Sequence, residues 1–384
     1  MTSAAQAQTL DAAINSVLLP SAATVGVAGN YVLQLAPGGS GSTTTTVFSP
    51  TVIFAGSSDG NCTAVSLSTE PATTVTCSPP GSTVTMSIKP VFSGTLSLAA
   101  GVVTNQYDPS MLNNFAVRSV QVSAPSSGCA QRRGDFNPVS QSDILWRNTS
   151  TGTTTVWIMS GYTSTSQLAV DTVSDQNWQI GGVGDFNCDG NADIVWRNYG
   201  TGQNTIWFMN GTAIVSQMSI PPVTDLAWRI VGVSDFDADG RPDLLWRKTG
   251  TGENTVWYMN GTSVVSQAAV PTVADDNWKI GATGDFDGNG KPDIVWRNTA
   301  TGQDTIWLMN GVIIASQVPL PAVTDLTWQL VGAADFSGDN RPDLIWRNSS
   351  TGANTVWPMN GTVPLTPVPL PSVTDLNWKI AAPR

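Results

Sequence analysis

Five nine-residue segments place oxygen-bearing side chains at a spacing that suits a metal ion. In the most complete of them, residues 235–243, carboxylates occupy positions 1, 3, 5 and 9, and Gly240 occupies position 6, where the chain must turn sharply. Calcium takes about six to eight oxygen ligands in a flexible geometry, and alternating acids around a glycine supply them from one short loop. Magnesium fits less well because it sheds its waters reluctantly. The segment therefore predicts a calcium loop.

The segment recurs every 50 residues without an insertion, which gives five loops, numbered 1 to 5 in chain order. Loops 2 to 5 each keep four predicted ligands: Asp185, Asn187, Asp189 and Asp193; Asp235, Asp237, Asp239 and Asp243; Asp285, Asp287, Asn289 and Asp293; Asp335, Ser337, Asp339 and Asp343. Loop 1, residues 135–143, has Val139 at position 5 and is degraded. In loop 5, Asn340 replaces the glycine, which is acceptable because asparagine tolerates the left-handed conformation. We expect about four calcium ions; hairpins closed by Asx turns without metal are the alternative.

The charge of the chain is concentrated in these loops. The formal net charge is -11 and the pI is about 4.3, and more than half of the 28 acidic residues lie in the five loops. Nucleic acid is not an expected partner, because phosphate binding needs a basic patch. Membrane insertion is not expected either, since no apolar run reaches the ~18 residues that span a bilayer.

The acidic clusters do not have the pattern of a catalytic site. The sequence contains no histidine, which removes the commonest general base. A catalytic pair of carboxyl groups needs two different environments, whereas each cluster here is local and recurs in every repeat. We therefore expect no enzyme activity.

The repeats predict the architecture that carries the loops. In repeat 3, residues 228–233, 244–247, 255–259 and 263–265 have the composition of four short strands, and Asn260-Gly261 is a strong hairpin signal. Four antiparallel strands with two apolar faces form a propeller blade, and a fixed period of this length is typical of propellers or other repeat arrays. Residues 128–384 are therefore predicted to form a five-bladed β-propeller.

The end of the chain suggests how the propeller closes. Residues 375–380 have a first-strand sequence with no loop after them, whereas repeat 1 lacks this segment. We predict that the C-terminal strand completes the first blade, which removes exposed sheet edges. Residues 128–134 would then be displaced, so that Cys129 could reach Cys188 in loop 2. A disulfide and two free thiols remain the two alternatives for this pair.

Residues 1–127 differ in composition from the repeats. All 15 tryptophans lie after residue 127, which predicts a domain boundary. The first segment of this part, residues 9–19, is compatible with a helix. Alternating segments then predict a β-sandwich, at residues 31–35, 51–54, 74–76, 83–88 and 115–122. Cys62 and Cys77 lie at the two ends of a short segment, which a disulfide between them would close into a loop, and they are predicted to form that disulfide.

The tryptophans form three series at the 50-residue period, and most should pack between blades. The third series begins the first strand of each blade, on the face opposite the loops. A candidate ligand rim follows from this placement, made of Trp178, Trp228, Trp278, Trp328, Arg197, Asn198, Arg247, Arg297 and Asn298. An indole face beside such polar groups suits a glycan, and a purely structural stack of arginine on tryptophan is the alternative.

The loops, together with the recurring Trp-Arg-Asn and Trp-x-Met-Asn-Gly motifs, resemble the FG-GAP or VCBS propeller repeats of integrin α-subunits, bacterial surface proteins and some lectins. The resemblance implies a calcium-bearing extracellular propeller that recognises a cell-surface glycan or protein without catalysis. Cys62 and residues 75–77, 98–101 and 107–114 resemble an immunoglobulin-like domain of prokaryotic surface proteins, which implies a spacer. A purely structural display or assembly component without a small-molecule ligand is the alternative function.

Overall fold

The computed structural model describes residues 14–19, 23–24, 29–35, 43–49, 52–57, 62–66, 73–77, 83–90, 94–103, 115–123, 134–137 and 141–383. By its contacts the chain divides into two compact parts, which are an N-terminal part of residues 1–126 with 187–189 and a repeat array of residues 127–186 with 190–384. Every regular element within the described residues is a β-strand, so the fold is all-β, as the sequence predicts.

The described residues of the N-terminal part form ten strands: β1 (Ile14–Leu18), β2 (Ala23–Thr24), β3 (Gly29–Leu35), β4 (Thr43–Ser49), β5 (Val52–Ser57), β6 (Cys62–Ser66), β7 (Thr73–Cys77), β8 (Thr83–Pro90), β9 (Gly94–Val103) and β10 (Phe115–Ser123). They build one sheet in the order β1-β3-β8-β5 and a second in the order β2-β10-β9-β4-β7-β6. Alternate residues of both sheets, such as Leu33, Val84, Phe48 and Leu98, form one buried core.

The predicted helix at residues 9–19 is wrong where the structure describes it. Ile14–Leu18 is strand β1, which pairs antiparallel with β3, and Val17 enters the core. Helix propensity is a weak preference that tertiary pairing overrides. The predicted Cys62–Cys77 disulfide is confirmed, with an S–S distance of 2.02 Å. The two cysteines face each other directly on the paired strands β6 and β7.

The described residues of the repeat array form 22 strands. Repeat 1 has β11 (Ile144–Asn148), β12 (Thr154–Ser160) and β13 (Thr163–Val170); repeat 2 has β14 (Trp178–Gly184), β15 (Asp193–Asn198), β16 (Asn204–Asn210) and β17 (Ala213–Ile220); repeat 3 has β18 (Trp228–Ser234), β19 (Asp243–Lys248), β20 (Asn254–Asn260) and β21 (Ser263–Val270). Repeat 4 has β22 (Trp278–Gly284), β23 (Asp293–Asn298), β24 (Asp304–Asn310) and β25 (Ile313–Leu320); repeat 5 has β26 (Trp328–Ala334), β27 (Asp343–Asn348), β28 (Asn354–Trp357), β29 (Met359–Asn360), β30 (Val363–Pro364) and β31 (Val368–Leu370); β32 (Trp378–Ala382) ends the chain.

Repeats 2, 3 and 4 each form one four-stranded antiparallel sheet in sequence order, for example β14-β15-β16-β17. The second strand is buried on both faces because it lies between neighbouring sheets, and all six residues of β15 are buried. The fourth strand is mostly exposed and, at eight residues in β21, is longer than the sequence predicted.

The sheet of repeat 1 is completed from the other end of the chain. Strand β32 pairs antiparallel with β11, which gives the order β13-β12-β11-β32. The prediction that the C-terminal strand supplies the missing first strand is therefore confirmed. The first strands also contact one another in sequence, since β14 contacts β18, β18 contacts β22, β22 contacts β26, β26 contacts β32, and β32 contacts β14.

Repeat 5 departs from the common pattern in its outer half. Pro358 interrupts the third strand, so that β28 ends at Trp357 and the short strands β29 and β30 form a separate ladder. Pro364, Pro367 and Pro369 occupy the region of the fourth strand. Proline has no N–H to donate to a ladder, which explains why β31 keeps only three residues.

Candidate metal sites

Loops 2 to 5 occupy equivalent places in the array. Each of loops 2 to 5 joins the first strand of a sheet to the second, so all four lie at the end of the sheets that also carries the Asn-Gly hairpins. The aspartate at position 9 is the first residue of the second strand, as Asp243 is in β19. The loops are thus short connections between two buried strands, and the strands fix both of their ends.

The aspartate at position 1 organises the turn. In loop 4, Oδ1 of Asp285 accepts hydrogen bonds from the backbone N–H of Gly288 (2.7 Å) and Asn289 (3.1 Å), and Oδ2 accepts one from Gly290 (2.8 Å). Asp335 accepts the same three bonds in loop 5. These bonds curl the chain around the carboxylate and bring positions 3 and 5 toward it.

The backbone turns into the left-handed region twice in each of these loops. At position 6, φ is 88° at Gly240, 82° at Gly290 and 64° at Asn340, which confirms both the predicted turn and the tolerance of asparagine there. Position 4 also has a positive φ, with values of 63° at Ala238 and 76° at Gly288. The sequence analysis did not predict this second turn, although the glycines at position 4 of loops 4 and 5, Gly288 and Gly338, were a signal for it.

Two loops bring three carboxylates together. Oxygens of Asp235, Asp237 and Asp239 lie within 4.8 Å of one another in loop 3, and those of Asp285, Asp287 and Asp293 do so in loop 4. Burial raises the pKa of both Asp235 and Asp239, and the neighbouring carboxylates raise it further. Like charges held this close favour a cation between them, and an all-oxygen donor set is the one that calcium prefers. The residues present therefore fit the metal that the sequence predicts.

Loops 2 and 5 offer fewer charges. Asn187 and Ser337 occupy position 3, and within the described residues no group of three acidic side chains at this spacing lies outside loops 3 and 4. The Ser337 hydroxyl donates to Asp335 over 3.3 Å, so its oxygen lies beside the position 1 carboxylate. The four-ligand sets predicted for loops 2 and 5 stay predictions.

The position 9 aspartate has a structural role that the sequence did not reveal. In loop 3, Oδ1 of Asp243 accepts a hydrogen bond from the Met259 N–H (2.8 Å) and Oδ2 accepts one from the Phe236 N–H (2.7 Å). The side chain is fully buried, and burial raises its pKa to about 8 despite these two bonds. Its carboxylate thus fastens the loop to the third strand of the sheet.

The same two bonds recur in loop 1. Asp143 accepts them from Met159 and Phe136, both at 2.8 Å, and burial raises its pKa to about 6. Residues 138–140 of loop 1, which include Val139, lie outside the described residues. Loop 1 therefore keeps the position 9 fastening even though its sequence lacks the ligand set.

The arginines and asparagines of the predicted ligand rim are buried. Arg197 is 0% exposed, Arg247 and Arg297 are each 3% exposed, and Asn198 and Asn298 are 4% and 5% exposed. The prediction that they line an exposed rim is therefore corrected. The Asn198 side chain accepts hydrogen bonds from the Gly200 and Thr201 N–H groups and so caps the turn that follows it. The rim tryptophans, Trp178, Trp228, Trp278 and Trp328, remain partly exposed, and sugar binding by them stays a prediction.

Each buried arginine instead links one repeat to the next. The Arg197 guanidinium donates to the carbonyl oxygens of Gly202 (3.2 Å) and Val223 (2.9 Å). It lies 5.1 Å from the centre of the Trp246 ring, in the following repeat. The stack recurs at 4.9 to 5.0 Å for four further pairs: Arg147 on Trp196, Arg247 on Trp296, Arg297 on Trp346 and Arg347 on Trp146. The last pair joins repeat 5 to repeat 1.

The second predicted disulfide is only partly within the described residues. Cys188, at position 4 of loop 2, is disulfide-bonded and has a positive φ of 61°. Cys129 lies outside the described residues. The Cys129–Cys188 pairing stays a prediction.

The comparisons with known proteins agree with the repeat pattern. A family model described as an FG-GAP-like repeat matches residues 185–246, 235–296 and 285–346. Each match runs from the start of one loop to the second-strand tryptophan of the next repeat, at the period of 50 residues. The array therefore contains FG-GAP-like repeats.

Other comparisons are distant. No curated protein matches the sequence. Among solved structures, the chain is similar to dihydro-heme d1 dehydrogenase NirN in complex with DHE, with 12% identity, a TM-score of 0.29, and coverage of 63% of this chain and 56% of that one. It is also similar to surface layer protein SbsC, domains 1-6, with 11% identity, a TM-score of 0.19, and coverage of 69% and 26%. A DUF4466 family protein from Parabacteroides merdae ATCC 43184 has 10% identity, a TM-score of 0.17, and coverage of 67% and 95%. This chain thus spans about half the length of the first of these structures and about a quarter of the length of the second.

No helix in the described part of the chain has the length and apolar character needed to cross a membrane.

Proposed function

We propose that the repeat array is a closed five-bladed propeller. Four contacts between repeats 5 and 1 support closure. The Arg347 guanidinium lies 5.0 Å from the centre of the Trp146 ring, and the Ser142 N–H donates to the Asp335 carbonyl over 3.5 Å. Strand β32 pairs with β11. One cluster of buried apolar side chains also contains residues of both repeats. Each sheet then packs between two others, as a propeller blade must.

The loops of this propeller hold calcium. In loops 3 and 4 the carboxylates at positions 1, 3 and 5 or 9 would bind the ion, and loops 2 and 5 would use the amide of Asn187 and the hydroxyl of Ser337. When bound, calcium neutralises the clustered carboxylates and adds bonds across the loop. The position 9 aspartate meanwhile keeps the loop fastened to its sheet through Met259 N–H and its equivalents.

The propeller is an extracellular recognition or adhesion module, and the N-terminal sandwich is an immunoglobulin-like spacer. One observation carries the proposal: a single loop geometry recurs at one end of an array of FG-GAP-like repeats. The Cys62–Cys77 disulfide supports an oxidising compartment. Cell-surface glycan or protein is the proposed partner, with the partly exposed third-series tryptophans as contact residues, and no catalytic activity is proposed.

Calcium binding is tested on the full chain by urea denaturation, followed through tryptophan fluorescence, with calcium, magnesium or a chelator present. At a free calcium concentration about 100-fold above Kd, each occupied site should raise the free energy of unfolding by about 2.7 kcal/mol. Asp237→Asn and Asp287→Asn remove exposed cluster carboxylates, so each should reduce the calcium increment and leave the chelated protein nearly unchanged.

Asp143→Asn is the matched control, because it removes a buried fastening carboxylate from the degraded loop. It should lower stability equally with calcium and with chelator. Identical unfolding curves for the unmodified protein in calcium and in chelator would refute the metal proposal, as would a full calcium increment in both loop variants.

A second candidate function is a structural surface component without a small ligand. It is favoured by the burial of the arginines and asparagines that were expected to recognise a sugar. A glycan array probed with the calcium-loaded chain separates the two. Binding that free sugar displaces supports recognition, and silence across a broad array supports the structural role.

A further inference from the structure

The sequence departs from the repeat pattern at three positions that lie together between repeats 2 and 3. Tyr199 follows β15, Arg229 is the second residue of β18, and Lys248 ends β19, so all three lie at the end of the sheets opposite the metal loops. The other repeats have threonine or serine, glutamine or lysine, and asparagine at these three places: Thr149, Thr249, Thr299 and Ser349; Gln179, Lys279, Gln329 and Lys379; Asn148, Asn198, Asn298 and Asn348. Departures that cluster in space in a uniform array point to a function of that one place.

Aromatic rings hold the basic side chains of this cluster. Arg229 Cζ lies 3.9 Å from the centre of the Tyr199 ring, and Lys248 Nζ lies 6.0 Å from the centre of the Trp228 ring. We call these four side chains the Arg229 patch. Tyr199, Trp228 and Arg229 are each partly exposed, so a ligand can reach them from solvent.

The Arg229 guanidinium is the cation of the patch that lacks an anion. In the part of the chain that the structure describes, it makes no hydrogen bond and no ion pair. Lys248, by contrast, is paired with Asp225 at 3.0 Å and lies 3.9 Å from Glu253. The neighbouring Arg197 donates to four backbone carbonyls. Burial lowers the pKa of the Arg197 guanidinium, and the like charge of Arg229 lowers it further. An anion beside Arg229 would relieve this repulsion.

Lys248 removes a negative charge that would repel such an anion. In repeat 2 the equivalent aspartate, Asp175, accepts from the neutral amide of Asn198 over 3.2 Å and keeps its charge, whereas Lys248 neutralises Asp225. The exchange costs repeat 3 a turn cap, because the Asn198 side chain also accepts from two backbone N–H groups and lysine has no acceptor. A residue that gives up a cap has another use, and neutralising Asp225 supplies one.

We propose that the Arg229 patch binds a sugar that carries a carboxylate, that is, a hexuronate. A guanidinium that stacks on a ring is held in place, and its N–H groups match a planar carboxylate in pairs. The partly exposed indole of Trp228 gives the C–H face of the same sugar a surface to pack on. A glutamate or aspartate side chain is a poorer match, because it brings no rigid ring to Trp228. The inference rests on the proposed recognition function, and it names one third-series tryptophan and the charge of its ligand.

The test uses the full chain with ¹⁵N-labelled indoles and follows the Trp228 Nε1–H signal, assigned with Trp228→Phe. The probes are methyl β-glucuronide, the matched neutral methyl β-glucoside, acetate as the anion alone, and N-acetyl-glutamate methylamide as an acidic peptide. The glucuronide should shift the Trp228 signal in a saturable way. Each of the other three should bind about tenfold more weakly, the effect of one lost charge-assisted bond or of the lost ring contact.

Substitutions that exchange residues between repeats provide matched variants. Arg229→Gln should lower glucuronide binding to the level of the glucoside and leave glucoside binding unchanged. Tyr199→Thr removes the ring that holds Arg229 and should weaken glucuronide binding about threefold, whereas Tyr199→Phe keeps the ring and should retain binding. Lys279→Gln, at the equivalent place in repeat 4, is the control and should have no effect on the Trp228 signal.

A transfer of the patch to repeat 5 tests whether these residues suffice. Thr299→Tyr, Gln329→Arg and Asn348→Lys together should give the Trp328 signal a response to the glucuronide that it lacks in the unmodified protein. Equal binding of glucuronide and glucoside at Trp228 would overturn the inference and leave glycan recognition standing. Equal binding of acetate or of the glutamate probe would overturn it in favour of a simple anion or peptide site. A Trp228 signal that no probe moves would also overturn it, and the glycan array then decides the proposed function separately.

Discussion

Asp304 distinguishes repeat 4 from its neighbours and makes its stability depend on pH. Its carboxylate accepts hydrogen bonds from Arg297 Nη1 at 2.8 Å and 3.0 Å, and both side chains are buried. Repeats 2, 3 and 5 have Asn204, Asn254 and Asn354 in this place. Each of these accepts from the arginine and also donates to a proline carbonyl at 2.7 to 2.8 Å. A carboxylate cannot donate that second bond.

The pKa of Asp304 gives the size of the effect. Burial raises it from 3.8 to about 6, against the opposing charge of Arg297. Because the folded pKa lies above the unfolded one, protonation favours the folded state. This contribution is complete below pH 3.8 and is lost as pH rises through 6. A pKa shift of this size adds about 3 kcal/mol to the free energy of unfolding at low pH. About 2 kcal/mol of that contribution is lost between pH 4 and pH 7.

Asp304→Asn should remove this dependence and regain the bond to the proline carbonyl. The stability of the variant relative to the unmodified protein should therefore rise by about 2 kcal/mol between pH 4 and pH 7. Urea denaturation detected by tryptophan fluorescence measures it, since all 15 tryptophans lie after residue 127 and report on the array. Asn354→Asp in repeat 5 is the reciprocal control and should introduce the same dependence. Stability curves for the unmodified protein and the Asp304→Asn variant that stay parallel across this pH range would refute the reasoning.

Three further changes test other parts of the structure. Ala238→Gly should raise the free energy of unfolding of the array by about 1 kcal/mol, because Ala238 has a left-handed φ of 63°. Gly288→Ala should lower that free energy by a similar amount. Nothing lies within 4 Å of the added Cβ, so only the unfavourable left-handed backbone conformation contributes. Arg347→Lys should lower the free energy of unfolding by about 2 kcal/mol, because lysine cannot stack on Trp146 while donating to the carbonyls of Gly352 and Val373. The control Arg341→Lys, at an exposed site, should have little effect. Replacing Cys62 and Cys77 with serine should destabilise the N-terminal part by about 3 kcal/mol, detected by circular dichroism, and leave the tryptophan-detected transition in place.

The repeat array was largely predictable because several independent signals agree in each repeat. The Asn-Gly hairpin, the apolar second strand and the loop acids recur at one period, so errors in one repeat are corrected by the others. The extra first-strand sequence at residues 375–380 could then pair only with the second strand of repeat 1, β11, which lacked a first strand beside it. Residues 14–18 offered no such redundancy, and a short segment with mixed apolar residues fits a helix or a strand equally well.

The interlocking arginines were anticipated only in part. A structural stack of arginine on tryptophan was the alternative in the sequence analysis, and the structure shows such stacks on the second-strand tryptophans. The other interpretation placed the arginines in a ligand rim beside the third-series tryptophans. The signal against that interpretation lay in the strand itself, since Arg197 follows Ile194, Val195 and Trp196 in a segment buried on both faces. The backbone carbonyls of Gly202 and Val223 that satisfy the guanidinium come from turns, and their approach is not visible in any local pattern.

The position 9 aspartates show why acid spacing alone miscounts metal ions. Asp143 makes the same two backbone hydrogen bonds as Asp243, although loop 1 has Val139 where a metal loop needs an oxygen. That carboxylate is therefore kept by the fold and not by the ion. In loop 3 the side chains at positions 3 and 5, Asp237 and Asp239, are exposed and make no such bonds to the sheet among the described residues. Carboxylates there are the better evidence for a cation, and of loops 2 to 5 only loop 3 has a carboxylate at both positions, which makes it the strongest site.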